Sequence, residues 1–166
     1  MNILAPAFNH AQSSAQIFIL GGLLVCLSII DIRQRRLPND LVLAIAMLGI
    51  SIALATSIAE ASLTPLKAAL LGALFSSVPA LIFSFAYLTF RGKEGFGAGD
   101  IKLLAALGLV VGPAGILILP IASTLAAMVK LPQLFFTKEK VREQSLAFGP
   151  YISLATLTLI AFCYLY

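Results

Sequence analysis

The sequence predicts an all-α fold, a polytopic transmembrane bundle of six helices that occupies residues 1–166 as a single domain. Three observations lead there. Apolar residues make up 60% of the chain and charged residues only 11%, about half the charged fraction that coats a soluble domain; the mean hydropathy is +1.03. The apolar residues gather in uncharged stretches near or above the ~18–20 residues a helix needs to cross hydrocarbon. The basic residues sort to one side of those stretches, as they do when they record topology.

The first stretch carries no Lys, Arg, Asp or Glu before Asp31. It has neither a basic leading region nor a small-residue cleavage site, so Ala11–Ile30 reads as a retained crossing and not as an export signal. Arg33, Arg35 and Arg36 follow, which places that loop in the cytoplasm. A second crossing opens near Pro38-Asn39-Asp40, where proline and a capping side chain suit a helix start. It returns the chain outward to the segment 60–65, which carries no basic residue. Ala68–Phe90 crosses back to Arg91 and Lys93.

Leu103–Val129 holds 27 uncharged residues, about 40 Å as one helix. A single crossing would strand Lys130, Lys138, Lys140 and Arg142 outside. Gly112-Pro113 and Gly115 offer a turn, giving a short fourth helix, Asp100–Val111, and a fifth of about Ala114–Phe136. Ser145–Leu165 makes the sixth. With both termini outside and the loops 32–38, 91–99 and 131–144 in the cytoplasm, ten basic residues face inward and Lys67 alone faces out. The fourth helix spans only about 18 Å, less than a ~30 Å core. Gly92–Gly99, with four glycines in eight residues, leads into it as a pliable loop.

The net charge of +4 belongs to this topology and not to nucleic-acid binding. Cys26 and Cys163 lie apart within apolar runs, where they read as small packing residues; with a lone His10 they offer no zinc site and imply no metal or cofactor. The acidic residues divide. Glu139 and Glu143 sit among basic neighbours, Glu60 is in an outer loop, Glu94 is among the glycines, and Asp40 reads as a helix-start residue. Asp31 and Asp100 stand at the edge of hydrocarbon on the same side of the membrane, where an ionisable residue is costly and marks function. Taken singly, Asp31 has an alternative in pairing with Arg35 or Arg36, and Asp100 in capping its helix. Two aspartates that share a site hold one proton between them. The ionised member can take a proton from water while the protonated one polarises a carbonyl, which is aspartic proteolysis. Glycines beside such a carboxylate let another backbone, or a peptide substrate, approach closely.

Gly97-Ala98-Gly99-Asp100 resembles the GxGD signature of intramembrane aspartyl proteases, and Asp100-Ile101-Lys102-Leu103-Leu104-Ala105 its fuller form in type IV prepilin peptidases. Asp31 followed by Leu37-Pro38-Asn39 is similar to the first aspartate motif of that family. Phe148-Gly149-Pro150 is similar to the segment opening its last helix, although Ala147 stands where proline is frequent. The resemblance covers nearly the whole chain. It implies Asp31 and Asp100 as the catalytic pair, and Pro38, Asn39, Gly97, Gly99, Lys102, Gly149 and Pro150 as motif residues on the substrate's approach. It further implies a prepilin or pseudopilin substrate, leader removal at the cytoplasmic face of a bacterial inner membrane, and no cofactor. Bifunctional members add cysteine pairs and methylate the new amino terminus. This chain lacks those pairs and looks more like the compact stand-alone peptidases of tight-adherence and related pilus systems. Lys102 lies about 200° around the helix from Asp100, either reaching the head groups or lining the site. Arg33, Arg35 and Arg36 would repel a basic leader and read as topology residues. The competing class is a small transporter or channel component, whose carboxylates would lie near the bilayer midplane.

Overall fold

A computed structural model describes residues 14–34, 37–91, 97–136 and 148–165. His10, Arg35, Arg36, Glu94, Lys138, Glu139, Lys140, Arg142 and Glu143 lie outside these residues, as does most of the glycine-rich stretch. Among the described residues the architecture is all-helical. Six α-helices occur in the order α1 (Ser14–Gln34), α2 (Asn39–Ala59), α3 (Thr64–Arg91), α4 (Ala98–Val111), α5 (Ile118–Phe136) and α6 (Gly149–Leu165). A 3-10 segment, Gly112–Leu117, joins α4 to α5.

Four stretches are long and apolar enough to cross a membrane: Ala15–Gln34, Asn39–Ala59, Thr64–Phe90 and Ala98–Val129. The last takes in α4, the 3-10 segment and much of α5, while Gly149–Phe162 is a shorter apolar helix. Length and composition alone therefore mark four spans where the charge pattern predicts six crossings. The first helix also runs further than expected. It continues past Ile30 through Gln34, which puts Asp31 in its final turn, at the helix end where the sequence places it.

The start of α2 follows from Pro38, whose extended backbone (φ −67°, ψ 126°) leads into the helix. Its carbonyl accepts the Val42 N–H at 3.3 Å, and Asp40 lies exposed in the first turn, where a carboxylate suits the helix dipole. At the other end, buried Ser57 accepts the Leu66 N–H on its hydroxyl at 3.2 Å, tying the close of α2 to the opening of α3.

The core centres on α4. Leu103, Leu104, Leu107 and Val111 are all fully buried, as befits a helix that is apolar beyond Lys102 and enclosed by others. The α3 helix packs along α4 and the 3-10 segment, α2 packs on α4, and α6 lies against α1 and α5. The outward faces carry Phe18, Phe83, Phe85, Phe90 and Phe162, all exposed, as lipid contact requires. Cys26 is exposed too, so it faces away from the bundle and is not one of its packing residues.

Small residues let α3 and α4 approach. A Cβ on Gly72 would collide with the backbones of Gly108 and Gly112, and one on Gly108 with the Gly72 carbonyl and the Ser76 hydroxyl. Ser76, 1% exposed, donates to the Leu104 carbonyl at 2.7 Å. The expected turn is also present. Gly112 takes φ 72°, a backbone that side chains avoid, and the chain doubles back. A Cβ on Gly115 would lie 3.2 Å from the Gly108 Cα, whereas seven residues of continuous helix would separate the two by about 10 Å.

Candidate active site

Four helix ends meet around Asp31 and Asp100. Asp31 comes from the last turn of α1 and is 5% exposed. One of its carboxylate oxygens, Oδ2, accepts the backbone N–H of Gly149 at 2.9 Å. That donor lies 118 residues away at the start of α6. The approach is tight: an added Cβ on Gly149 would stand 2.7 Å from Oδ2, 3.2 Å from Cγ and 3.3 Å from Cβ of Asp31.

Asp100 is the third residue of α4, partly buried, and lies within the electrostatic reach of Asp31. A glycine amide, that of Gly97 at the N-cap, also stands beside its carboxylate. The carbonyl of the same Gly97 accepts from Asp100 N at 3.0 Å and Ile101 N at 3.3 Å, closing the first turn. The cap position itself belongs to Gly97 and not to Asp100, which lies inside the first turn of the helix.

Gly99 explains how the first two motifs join. Its missing side chain faces Leu37, whose Cβ and Cδ1 would each lie 3.2 Å from an added Cβ. The group that Gly99 admits is thus the α1–α2 connection of this same chain, in keeping with the first of the two approaches read from the sequence, another backbone or a peptide substrate. Gly97 is exposed, and a Cβ there would meet Asp100 Oδ2 at an ordinary 3.4 Å. Leu37 carries Pro38 and Asn39 to the site's edge, Pro38 partly buried and Asn39 exposed. Lys102 is exposed on α4, turned away from the buried face of Leu103 and Leu104. Pro150, partly buried, follows Gly149 in the first turn of α6, where Phe148 and Tyr151 set their rings 6.3 Å apart.

Among the described residues no three His, Cys, Asp or Glu side chains gather at one place. The arrangement is two carboxylates at the end of a bundle, each beside a glycine amide, with that of Asp31 held by a 2.9 Å hydrogen bond. A water between them would meet one proton acceptor and one proton donor once the pair shares a proton.

Comparison with known proteins meets this geometry from a different direction. A family model described as the type IV leader peptidase family matches residues 18–131, a range that includes both aspartates. A protein of Xanthomonas campestris pv. campestris named prepilin leader peptidase/N-methyltransferase is 36% identical over 137 residues, 82% of this chain and 46% of that protein. Proteins of the same name from Aeromonas salmonicida and Neisseria gonorrhoeae are 31% identical over 153 residues and 30% over 137. These alignments cover 92% and 82% of this chain and 51% and 45% of the relatives, so the chain spans about half the length of the curated relatives it matches. No solved structure matches it.

Proposed function

Because the chain belongs to the type IV leader peptidase family, we propose that it is an aspartic endopeptidase that removes the leader from prepilin or pseudopilin precursors, at the cytoplasmic face of a bacterial inner membrane. The observation that carries this reading is the convergence of α1, α2, α4 and α6 on Asp31 and Asp100.

In the proposed reaction the two carboxylates hold one proton. The ionised member takes a proton from water as the oxygen attacks the scissile carbonyl. The protonated member donates its proton to the carbonyl oxygen, giving a neutral tetrahedral diol. Collapse of the diol breaks the C–N bond, a carboxyl proton passes to the leaving amine, and the shared proton is restored. Gly97 and Ala98, exposed beside Asp100, leave room for an extended substrate backbone.

The same convergence supports six crossings. Since α4 and α6 both start beside Asp31, the chain between them must leave that end of the bundle and return. The reversal at Gly112 supplies the return. On this topology the site opens to the cytoplasm. Both carboxylates lie near helix ends and not at mid-span, which counts against ion or solute relay. The methyl transfer named for the relatives is left outside this reading, since the cysteines of this chain, Cys26 and Cys163, are a widely separated pair.

The deciding experiment is co-expression with a candidate prepilin, following leader removal on a gel. The wild-type chain should shorten the precursor. Asp31→Asn, Asp100→Asn and the double variant should all abolish cleavage alike, because groups that act as a unit are not additive. Asp40→Asn should retain most activity. Ordinary cleavage by a well-expressed Asp31→Asn chain would remove the pair from the mechanism.

A further inference from the structure

The opening of α6 does more than cross the bundle near Asp31. We propose that the backbone amide of Gly149 is a positioning group, which locks the Asp31 carboxylate in one orientation toward Asp100. This rests on the peptidase reading above, and it gives Gly149 a task distinct from substrate approach.

The hydrogen-bond inventory of the first turn of α6 singles this amide out. A helix start leaves its early N–H groups without partners in the helix. Here Tyr151 N and Ile152 N both donate to the Phe148 carbonyl at 3.1 Å, and Pro150 has no N–H to give. The donor that remains at this turn is Gly149, and it is aimed at Asp31 Oδ2 at 2.9 Å. Proline at 150 thus removes a competing donor from beside the carboxylate, and the hydrogen bond to a charged acceptor is of the stronger kind.

Sterics reinforce the bond. A Cβ on Gly149 would press on Oδ2, Cγ and Cβ of Asp31 together, at 2.7, 3.2 and 3.3 Å, so rotating the terminal oxygens alone would not relieve it. Since Asp31 is 5% exposed, it has little free volume into which to retreat. At Asp100 the matching glycine is far less constrained, with 3.4 Å between an added Cβ and Oδ2. Among the described glycines, Gly149 is therefore the one with least freedom to carry a side chain beside either carboxylate.

Two replacements separate the amide from the space. Gly149→Ala keeps the N–H and adds the Cβ. Glycolic acid incorporated at position 149 replaces the amide by an ester and removes the N–H without adding a side chain. With a purified prepilin, each should lower kcat about tenfold or more and leave KM within about twofold, as expected for loss of an interaction that serves the chemical step. An ester chain with wild-type kcat overturns the proposal. So does a change confined to KM, which would return Gly149 to substrate contact.

A measurement without substrate keeps this distinct from the peptidase reading. The sequence has three aspartates, Asp31, Asp40 and Asp100. With 13C at their carboxyl carbons, the infrared band lost in Asp31→Asn identifies the Asp31 carboxyl. That band should shift in the ester chain. An unshifted band overturns the positioning role even if no prepilin is ever cleaved, whereas a shifted band without cleavage by the wild type overturns the function alone.

Discussion

Gly108→Ala tests the joint that holds α4, and with it Asp100, in place. In an isolated helix this change favours the helix by about 1 kcal/mol. Here the new methyl would overlap the Gly72 carbonyl and the Ser76 hydroxyl. Relief requires the α3 and α4 backbones to part, at a typical overpacking cost of about 1–3 kcal/mol. Parting also breaks the 2.7 Å bond from Ser76 to Leu104, worth about 1 kcal/mol within a membrane. The sum is a net loss of about 1–3 kcal/mol, or roughly 5–150-fold in the folding equilibrium. Gly22→Ala supplies the contrast, because nothing lies within 4 Å of the position its Cβ would take; that variant should be neutral or slightly stabilising. Unfolding in mixed detergent micelles, titrated with a denaturing detergent and followed by circular dichroism, compares the two. Equal stability of Gly108→Ala and Gly22→Ala would refute the close-packed crossing.

Two further outcomes follow from the site and the topology. Gly99→Val should lower cleavage sharply while the protein still inserts and accumulates, because its Cβ would press on Leu37 from 3.2 Å; near-normal cleavage would show that the joint between the first two motifs can yield. In a chain freed of Cys26 and Cys163, single cysteines at Thr64 and Lys138 should react with an impermeant reagent from opposite sides of the membrane. Labelling of both from the same side would sink the six-crossing topology.

Much of this was legible because it is local. Uncharged runs locate the helices, and Gly112-Pro113 marks the reversal since a glycine followed by proline has few other uses in an apolar stretch. Asp31 and Asp100 stand out because charge is rare in such surroundings. What escaped the sequence is contact between distant segments. The bond from Gly149 to Asp31 has no periodicity that announces it, and Gly99 gave no sign that Leu37 was its neighbour. Ser76 was passed over entirely. Its signal was present as small residues at Ala69, Gly72, Ser76 and Ala80 along one face of α3, yet small residues are common in any apolar span, and only the facing Gly108 gives them meaning. The loop after α1 was begun a few residues early, at 32, because charge there reads as a loop, whereas the helix runs on through Arg33 to Gln34.

The distance in sequence between Asp31 and Gly149 has a consequence for biosynthesis. The amide that meets this carboxylate lies 118 residues downstream. At about 5–20 residues per second, translation reaches it roughly 6–24 s after Asp31 is made. During that interval the nascent chain holds Asp31 but not the amide that donates to its carboxylate. On the proposed reading, the hydrogen bond that orients Asp31 therefore waits for the start of α6 to be made, and a chain that stops before residue 149 would hold both aspartates without it.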